Sequence, residues 1–215
     1  MNARDYAALA AIMIMVLAGA YASPSLPETI AVHWNAEGNA DGYAPKAAGL
    51  VILPLITLAI YGLLLLIPKI EIFKENMNAF KGYYDNIKLL LVLFMLALHL
   101  ATLAQNLGRP FNMNQAVLPA LGVLIYYLGH VMRYMKRSFF VGIRTPWTLA
   151  SDAVWDRTHR IGSVTFRINA GILVISSIAP SWGVWLAFGS LIANAVFLAA
   201  YSYWVYRKEG KNQLA

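Results

Sequence analysis

The chain has 215 residues, of which 60% are hydrophobic and only 13% are charged. Soluble domains carry about 25% charged residues, and a mean hydropathy of +0.58 indicates more apolar side chain than a water-soluble fold of this size can bury. Cysteine is absent, which excludes disulfides, thiolate metal sites and cysteine nucleophiles. We assign the net charge of +7 to basic loops beside a membrane, and not to direct nucleic-acid binding.

Six apolar runs approach the ~20 residues needed to cross a bilayer. The first run resembles a signal peptide, but Asp5 beside Arg4, and Pro24 after the expected cleavage region, favour an uncleaved helix. The fifth run is short and contains Arg167 and Asn169, so the sequence defines its limits poorly. We predict an all-α, polytopic membrane bundle of six transmembrane helices, at residues 6–22, 47–67, 87–107, 116–135, 164–178 and 184–206.

The positions of lysine and arginine predict the orientation. Fifteen of these 17 residues fall on one side of the predicted bundle, and only Lys46 and Arg109 fall on the other. Because basic residues accumulate in cytoplasmic loops, we expect a multi-pass inner (plasma) membrane protein with both termini in the cytoplasm. Two loops are longer than a simple turn requires. They are the outer loop, residues 23–46, and the inner loop, residues 136–163 on the cytoplasmic side.

The outer loop begins with an alternating pattern. Ile30, Val32 and Trp34 alternate with Ala, His and Asn, which predicts a short extended strand. The following residues, 35–42, favour turns, and Gly38 and Gly42 are available for positive φ. We therefore expect a folded turn whose polar side chains bind backbone amides.

Two metal-site hypotheses arise in this turn. Glu37, Asn39 and Asp41 imitate the start of a calcium loop, but the position that requires a glutamate holds Ala48. His33 with Glu37 and Asp41 has the composition of a zinc site, but the intervening glycines break any helical register that would align the three. We therefore predict no metal.

Helix-start signals mark the inner loop. Thr145 is a favourable N-cap and Pro146 a favourable first helical residue. Ser151 and Asp152 offer a second start, for a helix that ends at Gly162. Either helix is short and amphipathic, which predicts an interfacial helix in the fourth inter-helix loop, with tryptophans at headgroup depth and arginines toward anionic lipid.

A recognition surface for a protein partner is the other interpretation of the inner loop. A catalytic site needs a nucleophile, or paired carboxylates with a base. His159 with Asp152 or Asp156 is too small a set for that chemistry. We predict no catalytic residue and no cofactor.

Two stretches resemble the SdpI family of bacterial immunity membrane proteins, and together they extend over essentially the whole chain. The inner stretch matches the family signature at Gly142, Ile143, Arg144, Thr145, Pro146, Trp147, Trp155, Thr158, His159 and Arg160. The outer stretch resembles the domain of unknown function that precedes this signature, at His33, Trp34, Asn35, Gly38, Asp41, Gly42 and Tyr43. We accordingly expect an N-terminal unit, residues 1–68, and an SdpI-like four-helix unit, residues 69–215.

The resemblance implies an integral membrane immunity protein without enzymatic activity. The outer motif would sense a secreted peptide toxin or be structural. The inner motif would recognise and hold a cytoplasmic transcriptional repressor or be structural. Membrane lipid, a peptide toxin and a repressor protein are therefore the expected partners.

Polar residues inside the predicted spans support an alternative function, namely transport. Such residues are costly in a membrane and are often functional, and here they are His99, His130, Asn169 and Asn194. A small-molecule or ion transporter would line a water-filled cavity with three of them, His99, Asn169 and Asn194. No Asp or Glu lies within the six runs, which argues against ion-coupled transport. A membrane metalloenzyme that uses His33 or His159 is a further alternative.

Overall fold

Eight helices and a β-hairpin form the chain in the computed structural model, which describes residues 1–109, 111–179 and 181–212. A 3₁₀ turn, Ser23–Ser25, follows the first helix. The hairpin consists of β1 (Thr29–Trp34) and β2 (Ala40–Pro45), paired antiparallel. The helices are α1 (Ala3–Ala22), α2 (Lys46–Ile70), α3 (Lys74–Ala79), α4 (Lys81–Asn106), α5 (Met113–Met132), α6 (Pro146–Ala150), α7 (Asp152–Ser177) and α8 (Trp182–Asn212).

Five helices, α1, α2, α4, α5 and α8, are long and apolar enough to cross a membrane. Large apolar side chains remain exposed along them, as at Ile52, Leu55 and Leu58 of α2, which are 54%, 57% and 48% exposed. Such a surface suits lipid and not water. The chain is therefore a helical multi-pass membrane protein. Helix α7, at 26 residues, lies within the length range of these five helices, but its first half is rich in charged residues.

Side-chain caps fix where several helices begin. Asn2 forms a capping box with Asp5 at the start of α1, and Asn112 caps α5. Thr145 caps α6, whose first residue is Pro146, and Ser151 caps α7. The two helix starts predicted in the inner loop are thereby confirmed.

The bundle contains two groups of helices. Helix α4 packs against α1 and α2, while α7 packs against α5 and α8, and contacts between α4 and α5 join the groups. Glycines on α5 allow this helix to pack closely against α7. A Cβ on Gly122 would lie 3.1 Å from Val174 Cγ2, and one on Gly129 would lie 2.9 Å from Phe166 Cβ. Helices α5 and α7 therefore run antiparallel in contact along most of their length.

Two parts of the predicted architecture need correction. The chain is not purely helical, because the outer loop forms the β1–β2 hairpin; the strand predicted from Ile30 to Trp34 is confirmed. The helix predicted to end at Gly162 does not end there, because residues 152–162 are the first part of α7. Gly162 serves close packing instead, since a Cβ there would lie 2.7 Å from Ile143 Cδ1. The separate helix of the inner loop is α6, with only five residues.

Candidate functional site

The outer hairpin is shaped by its turn. The Asn35 side-chain oxygen accepts hydrogen bonds from the backbone N–H groups of Glu37 (3.1 Å) and Asn39 (3.0 Å). Gly38 adopts φ +80°, as the turn requires, whereas Gly42 does not have positive φ. The absent side chain of Gly42 matters for space, because a Cβ there would lie 2.8 Å from His33 Cβ. Asn35, Gly38 and Gly42 therefore have structural roles.

Asparagines from two helices hold the hairpin against the bundle. Asn106, at the end of α4, accepts from the Ala31 N–H at 2.8 Å and donates to the Ala31 carbonyl at 3.0 Å. At the start of α5, Asn112 donates to the Glu37 carbonyl over 2.7 Å, and Asn114 donates to the Ala36 carbonyl over 2.8 Å. The tip of the outer loop is thus hydrogen-bonded to the start of α5.

Three residues of the outer motif present side chains to solvent. His33 Nδ1 lies 2.5 Å from Asp41 Oδ1, and Tyr43 is 65% exposed. Trp34 is only half-buried, but its indole N–H is enclosed. Among the described residues, no third His, Cys, Asp or Glu joins His33 and Asp41 in a group able to hold a metal ion. His33, Asp41 and Tyr43 are therefore the exposed residues of the outer motif in the hairpin strands.

At the other end of the bundle, the inner motif folds around His159. Its Nε2 accepts the backbone N–H of Ile143 at 2.9 Å, so Nδ1 carries the proton and donates to the Trp155 carbonyl at 2.9 Å. The His159 and Trp155 rings stack with centroids 3.9 Å apart. Gly142 has φ +116°, and a Cβ there would lie 2.6 Å from His159 Nε2. These four residues form one packed unit.

Burial fixes the protonation state of this histidine. His159 is 1% exposed and lies before the predicted fifth span. Removal from water lowers the pKa of the His159 imidazole to about 4, although the hydrogen bond to the Trp155 carbonyl opposes that shift. Neutral His159 is therefore a structural acceptor and not a proton carrier at physiological pH.

Threonines hold the next part of the inner motif. Thr148 Oγ1 donates to the Ile143 carbonyl over 2.8 Å, and Thr145 and Thr148 form a reciprocal capping box. Thr145 Oγ1 also lies 3.0 Å from Ser202 Oγ of α8. Trp147 packs against Tyr203 with ring centroids 4.9 Å apart. The motif thereby ties α6 to α8.

Thr158 is also buried, at 0% exposure, and its hydroxyl has no partner among the described residues.

Pro146 is exposed at the start of α6. Arg144 and Arg160 are exposed as well, and the Arg144 guanidinium donates to the Phe139 carbonyl over 2.7 Å. Beside them Phe140 is 37% exposed. We define the inner-loop surface as Phe140, Arg144 and Pro146.

Glu71 anchors the inner loop, a role that sequence reasoning missed. Its carboxylate is 1% exposed and accepts from the Ser138 hydroxyl at 2.6 Å and the Phe139 N–H at 3.1 Å. It also accepts from the Phe73 N–H at 3.0 Å. A lone acid after an apolar run gives no sequence signal of a partner 67 residues away.

The predicted intramembrane polar residues do not form one site. His99, which is 1% exposed, lies beside Gly19 and Leu50. His130 lies among the rings of Tyr83, Tyr127 and Tyr134. Asn169 on α7 and Asn194 on α8 are buried, at 5% and 7% exposure. His99 therefore lies in the α1–α2–α4 group, apart from both asparagines.

A buried charged cluster corrects the expectation that the spans lack acidic residues. Lys88 Nζ lies 2.7 Å from Asp5 and 2.9 Å from Asp85, and all three residues are at most 6% exposed. Tyr61 donates to Asp5 over 3.0 Å. Helices α1 and α4 begin at Ala3 and Lys81, earlier than the apolar runs, because these charges satisfy one another. The spacing of Asp85 and Lys88, three apart on one helix, was the available signal.

Comparison with known proteins finds two family models and one relative that the chain resembles. Residues 10–58 match the model of a domain of unknown function, DUF1648, and residues 135–202 match that of the SdpI/YfhL protein family. The chain is also 26% identical to "Immunity protein SdpI" of Bacillus subtilis (strain 168) over 184 residues, covering 85% of this chain and 86% of that protein. No solved structure matches the chain. With both motifs in the expected order along one chain, the two model matches and this relative support membership of the SdpI/YfhL family.

Proposed function

We propose that this protein is a non-enzymatic immunity protein that protects its cell against a secreted peptide toxin. The similarity to Immunity protein SdpI over 85% of the chain carries this proposal. The exposed residues of the two family motifs lie at opposite ends of one bundle, which suits a protein that contacts one molecule outside the cell and another inside.

The proposed topology has six spans, both termini in the cytoplasm and the plasma membrane as its location. Helix α7 is the sixth spanning helix, because it runs antiparallel to α5 from the Gly162–Met132 contact to the Gly122–Val174 contact. Its charges lie at the inner end, where basic residues are favoured. Helix α6, with Trp147 against Tyr203, lies at the cytoplasmic membrane surface.

In this proposal the chain has two functional units. Residues 1–68 contain the hairpin, and residues 69–215 contain the inner loop. The hairpin tip binds Asn112 and Asn114 of α5, and α5 packs along α7. The start of α7 carries Trp155 and His159, which hold the inner loop. A toxin bound at His33, Asp41 and Tyr43 would therefore contact elements continuous with the inner-loop surface, where a cytoplasmic repressor would bind.

A survival assay tests immunity. Cells that express the chain are challenged with secreted peptide toxins, beginning with the one against which Immunity protein SdpI protects, and survival is compared with a vector control. We expect protection by the wild type, loss of protection in the Tyr43→Ala variant, and full protection in Tyr21→Ala. Tyr21 is a matched control because it is an aromatic residue, 89% exposed, outside the motif. Survival equal to the vector control would contradict the proposal.

Repressor binding is tested separately at the inner-loop surface. We expect the Phe140→Asp and Arg144→Gln variants to retain immunity but to lose toxin-dependent induction of a reporter. Arg207→Gln is the control, since Arg207 is exposed on α8 and lies outside the inner loop. His159 is unsuitable for this test, because its substitution disturbs the fold. Unchanged induction in both variants would exclude this surface as the repressor platform.

A further inference from the structure

A cavity of about 700 Å³ lies at the inner end of the bundle, between residues 132–136 at the end of α5 and residues 156–167 of α7. Its charged lining consists of four cationic residues and one acidic residue, namely Arg133, Lys136, Arg160, Arg167 and Asp156. His159 also lines it, but both of its ring nitrogens are already bonded to backbone groups. The cavity therefore has an excess of three positive charges.

These cations lack protein counter-charges. None of the four forms an ion pair within residues 1–109, 111–179 and 181–212. Two neighbouring basic residues outside the cavity lining do have partners: Arg137 pairs with Asp152 at 3.0 Å, and Arg157 pairs with Glu209 at 3.7 Å. The cavity thus brings together four of the basic residues that form no ion pair in the described part of the chain.

The predicted fifth span would bring one side of the cavity to the level of the lipid. Arg167 lies inside the predicted fifth span, where its guanidinium donates to the Ser163 carbonyl over 2.8 Å. Val164, which is 47% exposed, forms an apolar part of the lining. The cavity therefore has a cationic interior beside an aliphatic edge. An anionic lipid is complementary to this arrangement. Its negatively charged headgroup can enter the cationic interior while its acyl chains contact the aliphatic edge.

We propose that this cavity binds the phosphate of an anionic phospholipid from the inner leaflet. Arginine guanidinium groups form paired hydrogen bonds with phosphate oxygens, and basic pockets between helices on the cytoplasmic side bind anionic headgroups. The phosphate of the bound lipid would offset part of this positive charge and link α5 to α7 at the inner end. This role is separate from toxin immunity and from repressor binding.

Native mass spectrometry of the purified full-length chain tests this proposal. The protein is mixed in detergent with dioleoylphosphatidylglycerol or dioleoylphosphatidylcholine, and the retained lipids are counted. We expect one tightly retained phosphatidylglycerol, preferred at least about tenfold. The Arg133→Gln/Lys136→Gln/Arg160→Gln/Arg167→Gln variant should lose this preference. The Arg4→Gln/Lys69→Gln/Lys74→Gln/Lys81→Gln variant removes as many exposed charges from the same end and should keep it.

Two single variants keep the test decisive if the fourfold variant fails to fold. Lys136→Gln and Arg160→Gln replace exposed residues, and each should weaken the preference by about threefold. Equal retention of the two lipids by the wild type would overturn the proposal. An equal loss of preference in the control variant would do so too, since it would indicate diffuse surface charge. Thermal stabilisation by inorganic phosphate as large as that by phosphatidylglycerol would show a soluble-anion site instead.

Discussion

His159 holds the inner loop to α7 through Nε2, which accepts from the Ile143 N–H, while Nδ1 donates to the Trp155 carbonyl within α7. Protonation of Nε2 would direct an N–H at the N–H of Ile143, replacing a 2.9 Å hydrogen bond with repulsion. The imidazole also stacks on Trp155, whose indole N–H donates to the Met135 carbonyl over 3.0 Å. A motif residue in this environment has a structural role.

The stability of the protein should therefore depend on pH through His159. The ordinary pKa of 6.5 applies to the unfolded chain and about 4 to the folded chain, so the folded state loses stability as the pH falls through this window. At about 1.4 kcal/mol per unit, the full loss is about 3 kcal/mol. Thermal unfolding in detergent should show a steeper loss for the wild type than for His159→Gln. Parallel curves for the two proteins would contradict this role.

Gly142 provides a second test at the residue scale. Its φ of +116° and the 2.6 Å approach to His159 Nε2 both disfavour a side chain. Gly108 is a matched control, because it has φ +81° but nothing within 4 Å of a Cβ. We expect Gly108→Ala to cost about 1–2 kcal/mol from backbone strain alone, and Gly142→Ala to cost clearly more. Equal unfolding midpoints for the two variants would show that the contact with His159 is unimportant.

At the scale of elements, buried charge joins α1 to α4. Asp5 lies on α1, while Asp85 and Lys88 lie on α4, and Asn2 donates to Asp85 over 2.7 Å. The single cation offsets two carboxylates, and all three side chains are largely buried. Removing Lys88 would leave both carboxylates without a counter-charge, whereas removing Asp5 would leave a neutral pair.

The effects of substituting the two partners should therefore differ. We expect Lys88→Met to destabilise the protein by about 3–5 kcal/mol, as is usual when one partner of a buried ion pair is lost. Asp5→Asn should cost less than half as much, since Lys88 still pairs with Asp85. Denaturant unfolding of the purified variants measures both. A loss in Asp5→Asn equal to that in Lys88→Met would refute the proposed charge balance.

The sequence predicts the local features of these elements and misses the distant contacts. The caps at Thr145 and Ser151 and the strand at residues 30–34 depend on neighbouring residues, so their patterns are visible in the chain. The bonds from Glu71 to Ser138 and from Asn106 to Ala31 join residues far apart in sequence. No periodicity encodes such contacts, and the continuation of α7 through Gly162 depends in the same way on packing against Ile143.

For the whole molecule, the central question is the path of the chain through the membrane. Charge distribution, helix length and the antiparallel α5–α7 contact all support six spans, with the hairpin outside and the inner loop in the cytoplasm. The proposals for toxin sensing, repressor binding and lipid binding all depend on this arrangement. Because the chain contains no cysteine, a single introduced cysteine reports the side on which it lies.

Labelling of single-cysteine variants with a membrane-impermeant maleimide tests the topology most directly. Tyr43, Ser181 and Lys74 are exposed positions in the hairpin, before α8 and in α3. In intact cells we predict labelling of the Tyr43→Cys and Ser181→Cys variants, and labelling of Lys74→Cys only after permeabilisation. Protection of Ser181→Cys in intact cells, with Tyr43→Cys labelled, would show that α7 does not cross the membrane and would contradict the account.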